Sequence, residues 1–189
     1  MGVCAAMQRK TAKEILADSL RELASVKSID KITIRDIVDN CGYSAATFYR
    51  HYKDKYDLIA WDYARQIARI MEQIGKNGYT WRQTLMDGLM NYQSGKEYLV
   101  NLLTHTSGHD SFVRYMSEVH RRELTAYIKR ASGQETVDRQ TEMCIQLYCL
   151  GTAWLNSEWI LGRMDATAQE IADAYEQSIP EPLRPYLTK

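Results

Sequence analysis

Ala45, Ala46, Thr47 and Arg50 fall on the outer side of a short helical run, Ala45 to His51, that follows the turn Gly42-Tyr43-Ser44. These residue types suit a major groove. Two alanines let a helix approach base edges closely. Thr47 can donate, accept or offer a methyl to thymine, and Arg50 can make a bidentate contact to guanine or a phosphate contact. Ser44 can cap the run. Tyr49, His51, Lys53 and Lys55 are placed to grip the backbone and set register. Thr33, at the start of the preceding helix, can present backbone amides to a phosphate. The first helix of the pair packs across the second through Ile37, Val38, Cys41 and Phe48, which is the mechanical requirement of a helix-turn-helix. Helix pairs of this kind are common, and an ordinary packed pair fits the same spacing.

Other constellations are weaker. His105 and His109 lie four apart with Asp110 beside them, and His120 and Glu123 share a helix face. The intervening Thr106-Ser107-Gly108 reads as a loop, and no third and fourth ligand is fixed by spacing, so no metal is expected. Cys144 and Cys149 are five apart and diverge on a helix, which disfavours a local disulfide. A GxSxG elbow, a phosphate-cradling glycine loop and a paired-carboxylate arrangement are absent from the sequence. The expectation is a non-enzyme with no cofactor.

The elements that must position these residues are helical. The 189 residues are 45% hydrophobic and 25% charged, with 24 basic and 24 acidic side chains, 10 Gly and 3 Pro. Such a chain buries a core, and its neutrality excludes a uniformly basic coat or an acidic tail. The charge is nonetheless uneven: residues 1–55 carry ten Lys/Arg and seven Asp/Glu, so the N-terminal part suits a polyanion. The opening residues lack a basic, apolar leader and Cys4, Cys41, Cys144 and Cys149 form no CxxC, which predicts a cytoplasmic protein with free thiols. Met143–Met164 carries Gln146, Asn156, Ser157, Glu158 and Arg163, too polar for a membrane span.

Thr11-x-x-Glu14, Thr33-x-x-Asp36, Thr80-x-x-Gln83 and Thr167-x-x-Glu170 have the form of capping boxes. The first opens a helix with an apolar stripe through Ile15, Leu16, Leu20, Leu23 and Val26. Gly42 suits the left-handed backbone that ends the second. Further helices are predicted from Tyr56 to about Ile74, Thr80 to about Tyr92, Lys96 to Leu103, Phe112 to Arg130, Val137 to Met164, and from Thr167 to before Pro180. Gly75-Lys76-Asn77-Gly78 is the best domain boundary.

The segment from Ile32 to Leu58 resembles the DNA-binding domain of the TetR family of transcriptional regulators: a Thr-capped helix, the turn Cys41-Gly42-Tyr43-Ser44, then Thr47-Phe48-Tyr49-Arg50-His51-Tyr52, a Lys and Asp57-Leu58. Cys41 stands where the family usually has alanine. The resemblance implies an all-α chain: an N-terminal three-helix helix-turn-helix domain, residues 8–70, joined by a connecting helix to a larger helical effector-binding and dimerisation domain, residues 71–189. It implies a homodimer on a near-palindromic double-stranded operator, phosphate contacts from Thr33, Tyr49, His51 and Lys55, and Ser44, Ala45, Thr47 and Arg50 facing bases or adjoining phosphates. Tyr79-Thr80-Trp81 and Tyr98-Leu99 are faintly similar to the branch that includes activators of dihydroxyacetone kinase genes.

In the family the last two long helices pair with their copies. Here Leu147, Leu150, Leu155, Trp159, Ile171 and Tyr175 are the expected interface residues. Trp81, Met86, Met90, Tyr92, Leu102, Tyr115, Tyr148 and Trp154 are the expected pocket lining for an unknown small-molecule effector, although aromatics and methionines at helical spacing are more often core. Repression is the expected sense. A ligand that favours the DNA-competent spacing would act oppositely, and the sequence does not choose between them. A co-regulator acting through protein partners and, less favoured, a helical enzyme stand as alternatives.

Overall fold

The computed structural model describes residues 10–106 and 111–188. Their secondary structure is helical, with no strand among them. The chain folds as two compact units, Met1–Asp62 and Tyr63–Lys189.

The first unit holds α1 (Ala12–Ala24), a 3-10 turn (Ile29–Lys31), α2 (Ile34–Cys41), α3 (Ala45–His51) and the start of α4 (Lys55–Met71). Two complete capping boxes open α1 and α2: Thr11 and Thr33 each accept from the backbone of the residue three on, whose carboxylate returns to their own N–H. Gly42 ends α2 at φ 74°, where a Cβ would be strained, and the Ser44 side chain accepts from Thr47 N–H to start α3. A fourth cap comes from Asp54, whose Oδ1 accepts from the amides of Tyr56 and Asp57 at 2.8 and 2.9 Å. Burial of Leu16, Leu20, Ile37, Phe48, Tyr52 and Leu58 holds the helices together. Val26 lies beyond the C-cap of α1 and is exposed, so the apolar stripe of α1 ends sooner than its sequence period implies.

Polar clamps fix the angles. Ser19 Oγ donates to the Ile37 carbonyl at 2.7 Å, and Asn40 Nδ2 donates to Ser19 Oγ at 3.1 Å, joining α1 to α2. Arg21 donates through Nε and Nη2 to Oδ2 of buried Asp62 at 2.8 and 2.5 Å, joining α1 to α4.

The second unit comprises the rest of α4, α5 (Trp81–Ser94), α6 (Lys96–His105), α7 (Phe112–Ser132), α8 (Arg139–Ile160), α9 (Ala168–Gln177) and a short terminal turn and helix, α10 (Arg184–Leu187). Capping boxes open α5 and α9 as their sequences imply. Helix α8 is shorter than its apolar run. It starts at the Asp138 cap and stops before Gly162, which takes a φ of 71°. Helices α7 and α8 pack along each other, and α9 packs on α5. No helix among the described residues is long and apolar enough to cross a membrane.

Candidate nucleic-acid interface and ligand cavity

Helix α3 is short, and one side of it is spent on the core. Phe48 is fully buried, with the Tyr52 ring 5.7 Å away. The opposite side leaves Ala45, Ala46, Tyr49 and Arg50 exposed. The Tyr49 ring meets Phe48 edge-on at 5.7 Å and the residue still keeps 59% of its surface. Thr47 is half-buried with its hydroxyl 3.1 Å from Ser44 Oγ, so both belong to the cap as well as to the outer face. His51 is half-buried against Tyr52, and Lys53 is exposed.

Two predicted phosphate contacts are differently employed. The Thr33 N–H donates to Asp36 Oδ2 at 2.8 Å, and Lys27 Nζ donates to the same oxygen at 2.8 Å. The Lys27 hydrogen bond, aided by those from Thr33, holds the Asp36 carboxyl down to about 2. A phosphate approaching the α2 N-terminus therefore meets an ionised carboxylate that already occupies the Thr33 amide. The Thr33 N–H is thus engaged in its capping box. Lys55 is likewise engaged within the unit. Its Nζ donates to the carbonyls of Ile29, Asp30 and Ile32 at 2.7, 2.9 and 2.8 Å, closing the 3-10 turn against the start of α4. All three ammonium protons are engaged.

This assignment is testable. Lys55→Met should lower the stability of the N-terminal unit by about 1–3 kcal/mol, since three carbonyls lose a charged donor. The salt slope of DNA binding should stay the same. Denaturant unfolding and a salt titration check both; a folded, equally stable variant with a slope reduced by about one would restore Lys55 to the phosphate contacts.

The second unit contains a partly open cavity of about 80 Å³. Its apolar wall includes Ile67, Ile70, Met71, Leu85, Leu89 and Leu124, and its polar groups are Trp81, Tyr92, His120, Tyr148, Asn156 and Tyr175, with Thr84 and Thr152. Trp81, Tyr92 and Tyr148 are thus brought together as the sequence reading places them. The other expected lining residues are elsewhere. Leu102 is fully buried core, and Tyr115 packs its ring on Tyr63 and Phe112. Met90 and Trp154 face outward, while half-buried Met86 lies outside the lining. Helical period marks an apolar face without distinguishing core, cavity and surface.

Burial governs the cavity's electrostatics. Tyr63 Oη lies 2.7 Å from Tyr92 Oη and 2.8 Å from His120 Nε2, and Tyr92 Oη lies 3.0 Å from the same nitrogen. Desolvation pushes His120 down to about 4 and both phenols up, so all three are neutral at pH 7. Tyr175 Oη is 2.7 Å from Asn156 Oδ1, and Tyr148 Oη donates to the Tyr175 carbonyl at 3.1 Å. Burial also raises the Cys149 thiol to about 12. His120, read from spacing as a metal candidate, is instead bound to two phenols. Among the described residues no three His, Cys, Asp or Glu side chains gather as a metal site. His109 and Asp110 lie outside the described residues.

The expected interface residues also divide. Leu147 and Leu150 are exposed on α8 and Leu155 is half-buried. Trp159, Ile171 and Tyr175 belong to the interior of the subunit, Trp159 donating its indole N–H to the Ala166 carbonyl at 2.7 Å. Their expected outward placement is corrected: helix α9 turns its apolar side, Ala168, Ile171, Ala172 and Tyr175, inward and leaves a polar one outside. The exposed apolar residues of α8 are Met143, Leu147, Leu150 and Trp154, spaced four, three and four apart.

A capped helix-turn-helix unit is followed along the chain by a larger helical unit with its own cavity. Residues 16–60, most of the first unit, match the description "Bacterial regulatory proteins, tetR family", and the N-terminal unit is a DNA-binding domain of the TetR family. The whole chain has the fold of such regulators. It is similar to the structure of the dihydroxyacetone kinase operon activator DhaS, with a TM-score of 0.62, 14% identity, and 92% of this chain and 95% of that one covered. A TetR transcriptional regulator from Rhodococcus sp. RHA1 gives 0.62 and 14%, covering 89% and 95%. The TetR family repressor AlkX from Dietzia sp. gives 0.53 and 17%, covering 96% and 97%. At these identities the likeness is one of fold. Among curated proteins no sequence matches the chain.

Proposed function

We propose that the protein is a ligand-responsive homodimeric repressor of transcription that acts in the cytoplasm on a near-palindromic operator. The observation that carries this reading is the outer face of α3, where Ala45, Ala46, Tyr49 and Arg50 stand exposed on a helix whose other side is locked by Phe48. Small residues permit close approach to bases, Arg50 reads or grips, and Tyr49 and Lys53 bind phosphates. The exposed apolar row on α8 supports pairing with a second copy, which presents two half-sites to the DNA. The cavity supports a small-molecule effector. Helix α4 begins in the DNA-binding unit and supplies Ile67, Ile70 and Met71 to the cavity wall, so occupancy has a covalent route to the operator contacts. Ligand binding that favours a spacing unlike the operator's releases DNA.

The test is selection of bound fragments from sheared genomic DNA near physiological salt, with Tyr49→Ala alongside. Wild type should enrich a short near-palindrome. Tyr49→Ala should remain folded and bind it about tenfold more weakly. Unchanged affinity would remove Tyr49 from the interface. No enrichment by a folded dimer would instead favour a co-regulator acting through protein partners.

A further inference from the structure

One pole of helix α3 faces directly away from its own core. Phe48 is fully buried. Ala46 and Arg50 are each two residues from it, which at about 100° per residue sets both about 160° around the helix from Phe48. Both are exposed. Thr47 and Tyr49 are its immediate neighbours and stand on the two flanks, about 100° away. A helix lying in a major groove sends its outer pole to the base edges and its flanks to the phosphate walls.

The chemistry at the pole is unequal. Ala46 offers a methyl group. Ser44 Oγ accepts from the Thr47 N–H at 3.2 Å and lies 3.1 Å from the Thr47 hydroxyl, so both hydroxyls are held in the cap. Arg50 has no carboxylate on its own helix. Exposed Arg35 on α2, by contrast, sits 3.5 Å from Asp39. The next carboxylates along the chain are committed elsewhere: Asp54 accepts from the amides of Tyr56 and Asp57, and Asp57 from that of Lys53. Helical side chains lean towards the N-terminus, so the stem of Arg50 runs over Ala46, whose methyl leaves it room to reach the groove floor. Guanine alone presents two neighbouring acceptors there, O6 and N7, and a guanidinium matches both with paired donors.

We infer that base recognition by α3 is concentrated in Arg50, which reads one guanine in each half-site through O6 and N7, while Tyr49 grips phosphate whatever the sequence. The inference rests on the reading of α3 as the DNA-contacting face.

The full chain and Arg50→Ala are each carried through rounds of selection on randomised duplex DNA near physiological salt. Arg50 is exposed, so the variant should melt as the wild type does. Wild type should enrich a motif with a required guanine in each half-site, and the variant's motif should lose that preference at that position alone. 7-Deazaguanine keeps Watson–Crick pairing and removes the N7 acceptor. Placed at the required position, it should weaken wild-type binding about tenfold, within the worth of a bidentate base contact, and leave Arg50→Ala binding unchanged. An Arg50→Ala protein that keeps the wild-type motif, binds all sequences more weakly and shows a salt slope lower by about one would make Arg50 a phosphate contact. That result would overturn the inference and leave α3 as the DNA-contacting face. Wild-type affinity unchanged by 7-deazaguanine would overturn it as well. A folded wild type that enriches no sequence would remove the inference together with the reading on which it rests. If Arg50→Ala binds too weakly for selection, the wild-type response to 7-deazaguanine decides alone.

Discussion

On the proposed homodimer, Leu150→Glu should produce monomers and weaken operator binding by at least about a thousandfold. Large apolar side chains rarely line up exposed on one helix of a monomer. Met143, Leu147, Leu150 and Trp154 do so on α8, with Leu147 at 70% and Trp154 at 60% exposure, while the opposite side of the helix, including Ile145, Cys149 and Ala153, is buried in the subunit. Their four-three-four spacing is the seam that two helices share when their side chains interlock. Gly151, exposed beside Leu150, allows close backbone approach. A two-fold axis makes the interface self-complementary, so one substitution acts twice. Burial of a leucine is worth about 1.5–3 kcal/mol, and two such losses plus two buried like charges exceed about 4 kcal/mol, or a thousandfold. Sedimentation and operator titration read the two effects. Leu150→Glu that remains dimeric would move the interface off this seam. Because Leu150 is on the surface of the subunit, its fold should be retained, unlike that of a Trp159 variant, which would lose a buried indole and its bond to Ala166.

The elements that were legible in the sequence are those decided within one turn. All four Thr-x-x-Glu, Asp or Gln signals became capping boxes, because the two side chains and two amides involved lie three residues apart whatever surrounds them. Gly42 and Ser44 likewise set the turn before α3 locally. The end of α8 was harder: apolar residues run on through Leu161 and Met164, and Gly162 was the stop signal that the hydrophobic count concealed. Placement of site residues depended on tertiary packing. Nothing near Lys55 in the chain reveals that its ammonium returns to carbonyls 23 to 26 residues earlier. The outer face of α3 was readable because Phe48 and Tyr52 fix which side is inward, whereas the cavity is assembled from α4, α5, α7, α8 and α9, and period alone could not assign Trp81 to it and Leu102 to solid core.

Acidification from pH 7 to about 4.5 should destabilise the second unit through His120, and His120→Gln should remove that component. His120 brings Nε2 against two buried phenols, Tyr63 and Tyr92, with Tyr115 packed on Tyr63, and no carboxylate in that triad favours its cation. Desolvation therefore lowers it from 6.5 to about 4. An unfolded chain protonates the histidine near 6.5 and the folded one only near 4, so between these values the unfolded state binds more protons. The stability that His120 contributes is fully present above pH 6.5 and is lost as the pH falls towards 4. The full shift corresponds to about 3 kcal/mol, but the residue as a whole retains partial exposure despite the burial of its nitrogen, and solvent screening brings the expected loss to about 1–2 kcal/mol. Carboxylates held low by their partners, such as Asp36 near 2, lose stability in the same direction at lower pH. The decisive quantity is therefore the difference between the wild-type and His120→Gln denaturation curves across pH 7 to 4.5. Glutamine keeps a donor and an acceptor for the phenols without titrating. The difference should narrow by about 1–2 kcal/mol on acidification, and parallel profiles would mean that His120 takes up its proton in the folded protein as readily as in the unfolded chain.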